Sequence, residues 1–181
     1  MAQAVRSFPF VARSDALVLI LGSMPGAASL AAGEYYAHPR NAFWPIMEGL
    51  FAIPQHRPYD ERLEGLKDRG IALWDVLASC VRPGSLDSAI DGATVVPNDF
   101  PAFFRAHRGI EAVFFNGTMA ERSWRRHVAP GLPHAPMRTV RLPSTSPAHA
   151  GRSLEDKMEL WAVLREALER PDPREKRRRE P

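Results

Sequence analysis

The chain has 181 residues, 45% hydrophobic and 25% charged, enough for one domain with a full core and too apolar for a disordered chain. Its one cysteine, Cys80, excludes a disulfide framework, a cysteine zinc site and a four-cysteine iron–sulfur cluster, and its six histidines form no H-E-x-x-H pattern, so no metal or cofactor is indicated. The net charge of +3 lies wholly in residues 170–181, where six Lys or Arg stand against three acids, so bulk charge does not mark the body as a nucleic-acid binder.

Residues 1–15 read as a lead-in that packs Phe8, Phe10 and Val11 on the body. They lack the charged-then-apolar build of a signal peptide, and no apolar run approaches the ~20 residues of a membrane span, so a cytoplasmic protein is expected. The first strand covers about 16–21 and ends abruptly in Gly22-Ser23-Met24-Pro25-Gly26. Helices are expected over about 42–51 and 59–69, the second stopped by Gly70. Ile71-Ala72-Leu73-Trp74 is a short strand ending in Asp75. Residues 76–98 are too long for a turn and read as cover for the sheet edge or the site. Asn98 or Asp99 caps a helix to about His107. Residues 111–115 form the third strand, ending in Asn116-Gly117, and Thr118 opens a helix with the capping-box pattern Thr118-x-x-Glu121. Met137 to Leu142 is the fourth strand and empties into Pro143-Ser144-Thr145-Ser146-Pro147-Ala148-His149. Ser153 with Asp156 caps one last helix over about 154–169, and the tail from 170 to 181 is expected to be disordered.

Strand, loop and helix thus repeat four times, which predicts a three-layer α/β/α sandwich on a mostly parallel four-stranded sheet, one domain over 1–169. Parallel strands put their carboxyl ends on one side, where open α/β sheets bind ligands. One pocket could therefore gather Asn41, Asp75, Asn116, the 143–149 loop and the aromatics Tyr35, Tyr36 and Phe43.

Four motifs, in order on that strand pattern, carry a resemblance. They are Gly22-Ser23-Met24-Pro25-Gly26, Tyr35-Tyr36-Ala37-His38-Pro39-Arg40-Asn41-Ala42-Phe43-Trp44, Phe115-Asn116-Gly117 and Leu142-Pro143-Ser144-Thr145-Ser146-Pro147. Over about 15–165 the sequence resembles the uracil-DNA glycosylase superfamily, and within it the hypoxanthine-DNA (deoxyinosine) glycosylase branch. Two positions depart from other branches. Met24 stands where mismatch-specific uracil enzymes carry a water-positioning Asn, and Leu142 stands where the classical uracil enzymes carry a His that supports the leaving base.

The resemblance implies a monofunctional enzyme that hydrolyses the N-glycosidic bond of a deaminated base in DNA, most of all hypoxanthine, with Asn41 as catalytic residue. Asn41 reads equally as a helix N-cap, and the two roles are compatible. Tyr36 is the candidate stacking platform, with core packing as its alternative. Asn116 could read O6 and N1–H of hypoxanthine or simply make an Asn-Gly turn; Asp75 could accept N1–H or cap a loop. The backbone N–H groups of Ser23 and Met24 are further donors to the base. Ser144, Thr145 and Ser146 could hold phosphates, and His149 a phosphate or the leaving base; each also reads as an ordinary loop residue. His38 and Arg40 could orient Asn41 or touch phosphate. Lys67 and Lys157 fall on helices away from the strand ends, so no lyase step is expected. The partner implied is damaged DNA and the expected state is a monomer. The same reaction on uracil or xanthine, a non-catalytic DNA-binding relative, and an enzyme of free nucleotides are the competing readings.

Overall fold

The computed structural model describes residues 4–84, 86–132 and 137–169. The tail from 170 to 181, expected to be disordered, lies outside the described residues. In chain order the elements are β1 (Ala4–Arg6), β2 (Val18–Gly22), α1 (Ala27–Ala32), α2 (Phe43–Phe51), α3 (Tyr59–Asp68), β3 (Ile71–Asp75), β4 (Leu77–Val81), β5 (Val96–Pro97), α4 (Phe100–Ala106), β6 (Ala112–Asn116), α5 (Thr118–His127), β7 (Arg138–Leu142), α6 (Leu154–Trp161) and α7 (Val163–Glu169).

Four strands pair in the order β3-β2-β6-β7, all parallel. Every residue of β2 and β3 is buried, as expected of parallel strands covered on both faces. Alternate side chains divide the interior. Val18, Ile20, Ile71, Leu73 and Phe114 meet α2, α6 and α7 through Phe43, Ile46, Met47, Trp161 and Leu164. Leu19, Leu21, Ala72, Trp74, Val113 and Phe115 meet α4 and α5 through Phe100, Phe103, Ala120 and Trp124. The sandwich and its parallel sheet are as the sequence predicts.

Four local expectations are corrected. The 76–98 segment is not mere cover: β4 starts one residue after β3 and joins β1 and β5 in a separate antiparallel sheet, ordered β1-β4-β5. A short helix, α1, follows Gly26, where the sequence reading places no helix before residue 42. The cap of α5 is Gly117, without a side-chain bond, and Glu121 instead pairs with Arg125 and Arg141. The last helix is two, parted at Ala162, although its Ser153–Asp156 capping box forms as expected.

Register fixes the site. Gly22 lies opposite Asp75, and Asn116 opposite Leu142, so all four strand ends reach one rim.

Candidate active site at the carboxyl ends of the parallel strands

The floor of the site is Gly22. A Cβ there would collide with Asp75 Oδ1 and lie 3.3 Å from the Tyr36 hydroxyl, so only glycine admits both groups. The loop that follows is held from β4's side: Val76 N–H donates to the Gly22 carbonyl at 2.9 Å and Leu77 N–H to the Ser23 carbonyl at 3.2 Å. Met24 is 6% exposed and belongs to the core cluster that also holds Trp74 and Phe115. Only its backbone remains a candidate contact for a base.

Asp75 is 3% exposed, and its Oδ2 has no hydrogen-bond partner. Burial, reinforced by Asp87 and opposed by Arg82, pushes its pKa up to about 8. The Tyr36 hydroxyl is likewise buried without a partner, and burial together with Asp75 raises its pKa, keeping it protonated. Tyr36 holds a positive φ of 57°, uncommon for a bulky residue, and stacks on Phe43 with ring centroids 4.1 Å apart. The surrounding bonds hold that backbone: Trp44 Nε1 donates to the Tyr35 carbonyl, and Ala37 N–H to Ser29 Oγ. Tyr35 and Phe43, named with Tyr36 as pocket aromatics, are instead core residues. The Tyr35 ring packs on Phe8 and its hydroxyl bonds the lead-in segment.

Asn41 is not the N-cap of α2, which is Ala42 and carries no side-chain cap bond; Asn41 stands one residue before it. Its Oδ1 accepts the Phe43 N–H at 3.0 Å in a tight turn that leads into α2, while its Nδ2 makes no hydrogen bond among the described residues. Its own N–H donates to the His38 carbonyl at 2.8 Å, and His38 Nδ1 accepts from the Arg40 N–H. His38 thus shapes the Asn41 turn, and Arg40 is exposed.

The 143–149 loop is fastened by four residues on three elements, β6, the start of α2, and α6. Asn116 donates from Nδ2 to Thr145 Oγ1 and accepts the Thr145 N–H at Oδ1, both at 2.9 Å. Ala42 N–H donates to the Thr145 carbonyl, Trp161 Nε1 to the Pro143 carbonyl, and Lys157 Nζ to the His149 carbonyl. Lys157 therefore reaches the site's loop, contrary to its expected place. Thr145 is 1% exposed, whereas His149 is exposed. Ser144 and Ser146 accept N–H bonds from two residues ahead, from Ser146 and Ala148. Gly117, at φ 96°, lies against Ser144 too closely for any Cβ.

Two residues escaped the sequence reading. Asp87 Oδ2 accepts the Ser23 hydroxyl at 2.7 Å, and its Oδ1 faces Arg82 Nη1 at 3.7 Å. Arg82, 4% exposed, also donates to the Pro25 carbonyl, while its Nε and Nη1 lack hydrogen-bond partners. Burial raises the Asp87 pKa, opposed by Ser23, Arg82 and His149. The local sequence offered only Arg82 and two acids, Asp87 and Asp91, in a segment without periodicity. Among the described residues no group of three His, Cys, Asp or Glu is placed to hold a metal, and no helix is long and apolar enough to cross a membrane.

This rim belongs to a known class of base-excising folds. The uracil DNA glycosylase superfamily model matches residues 8–167, and the chain belongs to that superfamily. Among individual relatives, a hypoxanthine DNA glycosylase from Methanosarcina acetivorans is 33% identical over 161 residues, 88% of this chain and 98% of the relative. One from Methanosarcina barkeri is 35% identical over 113 residues, 62% of this chain and 70% of the relative. A solution NMR structure of a Methanosarcina acetivorans protein named for uracil DNA glycosylase superposes with a TM-score of 0.77 at 30% identity, covering 93% of this chain and all of that one.

Proposed function

We propose that the chain is a monofunctional DNA glycosylase that releases hypoxanthine from DNA. The observation that carries this reading is the meeting of Tyr36 and Asp75 over Gly22, where a polar, partly unpaired floor awaits a flipped base. The hypoxanthine assignment draws on the names of the two curated relatives.

The base leaves the stack at a cost of a few kcal/mol, least where it is mispaired. Tyr36, backed by Phe43, provides the flat surface against which it rests. The N–H groups of Ser23 and Met24 approach from the first loop, and Asp75 from the floor. Asn116 uses its amide to position Thr145 and acts on the Tyr36 hydroxyl, which places it beside the base. Asn41, held by its bond to Phe43, directs its amide to the attacking water. The C1′–N9 bond breaks with its electron pair leaving on the base; water oxygen bonds C1′ and gives up a proton to solvent, and the departing base takes one up from solvent to leave as neutral hypoxanthine. Ser144, Ser146 and His149 line the loop that faces the phosphates, with Thr145 as its anchor. The enzyme works as a cytoplasmic monomer on residues 1–169. The Ser23 hydroxyl donates to Asp87, which disfavours a uracil enzyme in which Ser23 replaces the missing water-positioning Asn.

Single-turnover release from duplexes carrying deoxyinosine, deoxyuridine or deoxyxanthosine tests the reading. Hypoxanthine is expected to be released fastest, and Asn41→Ala to slow it by about 100-fold with DNA binding intact. Binding to all three without any release would overturn it.

A further inference from the structure

Asp75 is an unusual group to find beneath a departing base. Its carboxyl is almost wholly buried, one oxygen has no partner, and the other lies against Gly22 beside the Tyr36 hydroxyl. The electron pair of the broken glycosidic bond leaves on the base, so a carboxylate there would oppose the reaction, and in a dry site such repulsion is strong. A neutral carboxylic acid reverses the sign: it offers an O–H donor to a ring carbonyl that gains negative charge.

We propose that Asp75 acts as a neutral carboxylic acid that donates a hydrogen bond to the exocyclic carbonyl of the flipped, deaminated base. The proposal rests on the glycosylase reading above and assigns the chemistry of one residue within it.

The surroundings support this protonation state. The charged groups facing Asp75 are Arg82, at the end of the second sheet's β4, and Asp87, in the turn beyond. These two face each other at 3.7 Å, so the cation that would hold a carboxylate at Asp75 is already matched by an anion. The Arg82 guanidinium is further tied to the Pro25 carbonyl. From the 35–43 segment Asp75 meets Tyr35 and Tyr36, both kept protonated by burial. His149, across the rim, acts on Asp87. Arg82 favours the ionised form and Asp87 opposes it, so among the described residues burial decides the balance and raises the pKa. Hypoxanthine, xanthine and uracil all carry the required carbonyl; adenine carries an amino group there.

The test is the rate of hypoxanthine release between pH 6 and 10, in wild type, Asp75→Asn and Asp75→Ala under single turnover. The wild-type rate is expected to fall about tenfold per pH unit above about 8. Asp75→Asn keeps a neutral donor and should stay within about tenfold of wild type at pH 7 without that limb, while Asp75→Ala loses about 100-fold. The base's own N–H also ionises in alkali, so the difference between wild type and Asp75→Asn is the quantity read. An alkaline limb unchanged in Asp75→Asn, or a wild-type rate that rises through pH 8, overturns the proposal. If wild type releases no hypoxanthine, the glycosylase reading fails instead. The acid is then judged by carbon-13 NMR titration of the Asp75 carboxyl in the free protein. A midpoint near 8 upholds the neutral acid, and one in the ordinary carboxylate range overturns it.

Discussion

Asp75 links chemistry to stability at the scale of a single residue. Its ordinary value of 3.8 holds in the unfolded chain, whereas the fold raises it to about 8. Between those values the folded state binds a proton that the unfolded state releases, so stability falls as pH rises through that window. Below it the two states are protonated alike, and above it the loss is complete. Asp75→Asn, with nothing to ionise, should melt higher than wild type at pH 8, the gap closing as pH approaches 4. Melting temperatures of both proteins across pH 4–9 check this; a gap that widens toward acid would contradict it. The Asp87 shift has the same direction and adds to the wild-type slope.

Among the elements, the most constrained is the loop after β7, and its central fastening is the Asn116–Thr145 pair. Thr145→Val keeps the shape but leaves the half-buried Asn116 N–H without its acceptor, at a cost of about 1 kcal/mol. Urea unfolding should show that loss, and hypoxanthine release should slow because the loop's anchor is weakened; unchanged stability would mean that the pair contributes nothing. Legibility differs sharply between elements. The three well-buried parallel strands β2, β3 and β6 were readable because burial demands apolar runs such as Val18–Leu21 and Ala112–Phe115, whereas β7, RTVRL, is a mostly exposed edge. The antiparallel sheet was not: Leu77–Val81 has small and polar residues at its centre, and β5 has two residues, so neither shows a convincing alternation. Helix α1, Ala-rich and six residues long, has no apolar stripe to detect. The candidate pocket was visible as polar endings on predicted strands, since parallel pairing alone brings such ends together. Asp87 and Arg82 were invisible because their partners lie 64 and 57 positions away, a proximity that only the second sheet creates.

Across the whole molecule, charge is divided between a balanced body and a basic tail. Deleting residues 170–181 should weaken DNA binding and flatten its salt dependence, since fewer phosphate counterions are released, while single-turnover base release survives. Binding isotherms at several salt concentrations test this, and an unchanged slope would remove the tail from the interface. The body has to rely on local contacts near the rim, where Arg40 and His149 are exposed beside the anchored loop.

That anchoring has a kinetic meaning. A loop tied to β6, α2 and α6 before DNA arrives has little freedom to mould itself to a duplex. The expected consequence is that the DNA does the deforming, so that the time a lesion spends unstacked sets whether it is caught: sites that open often should be sampled, and well-stacked neighbours passed unread.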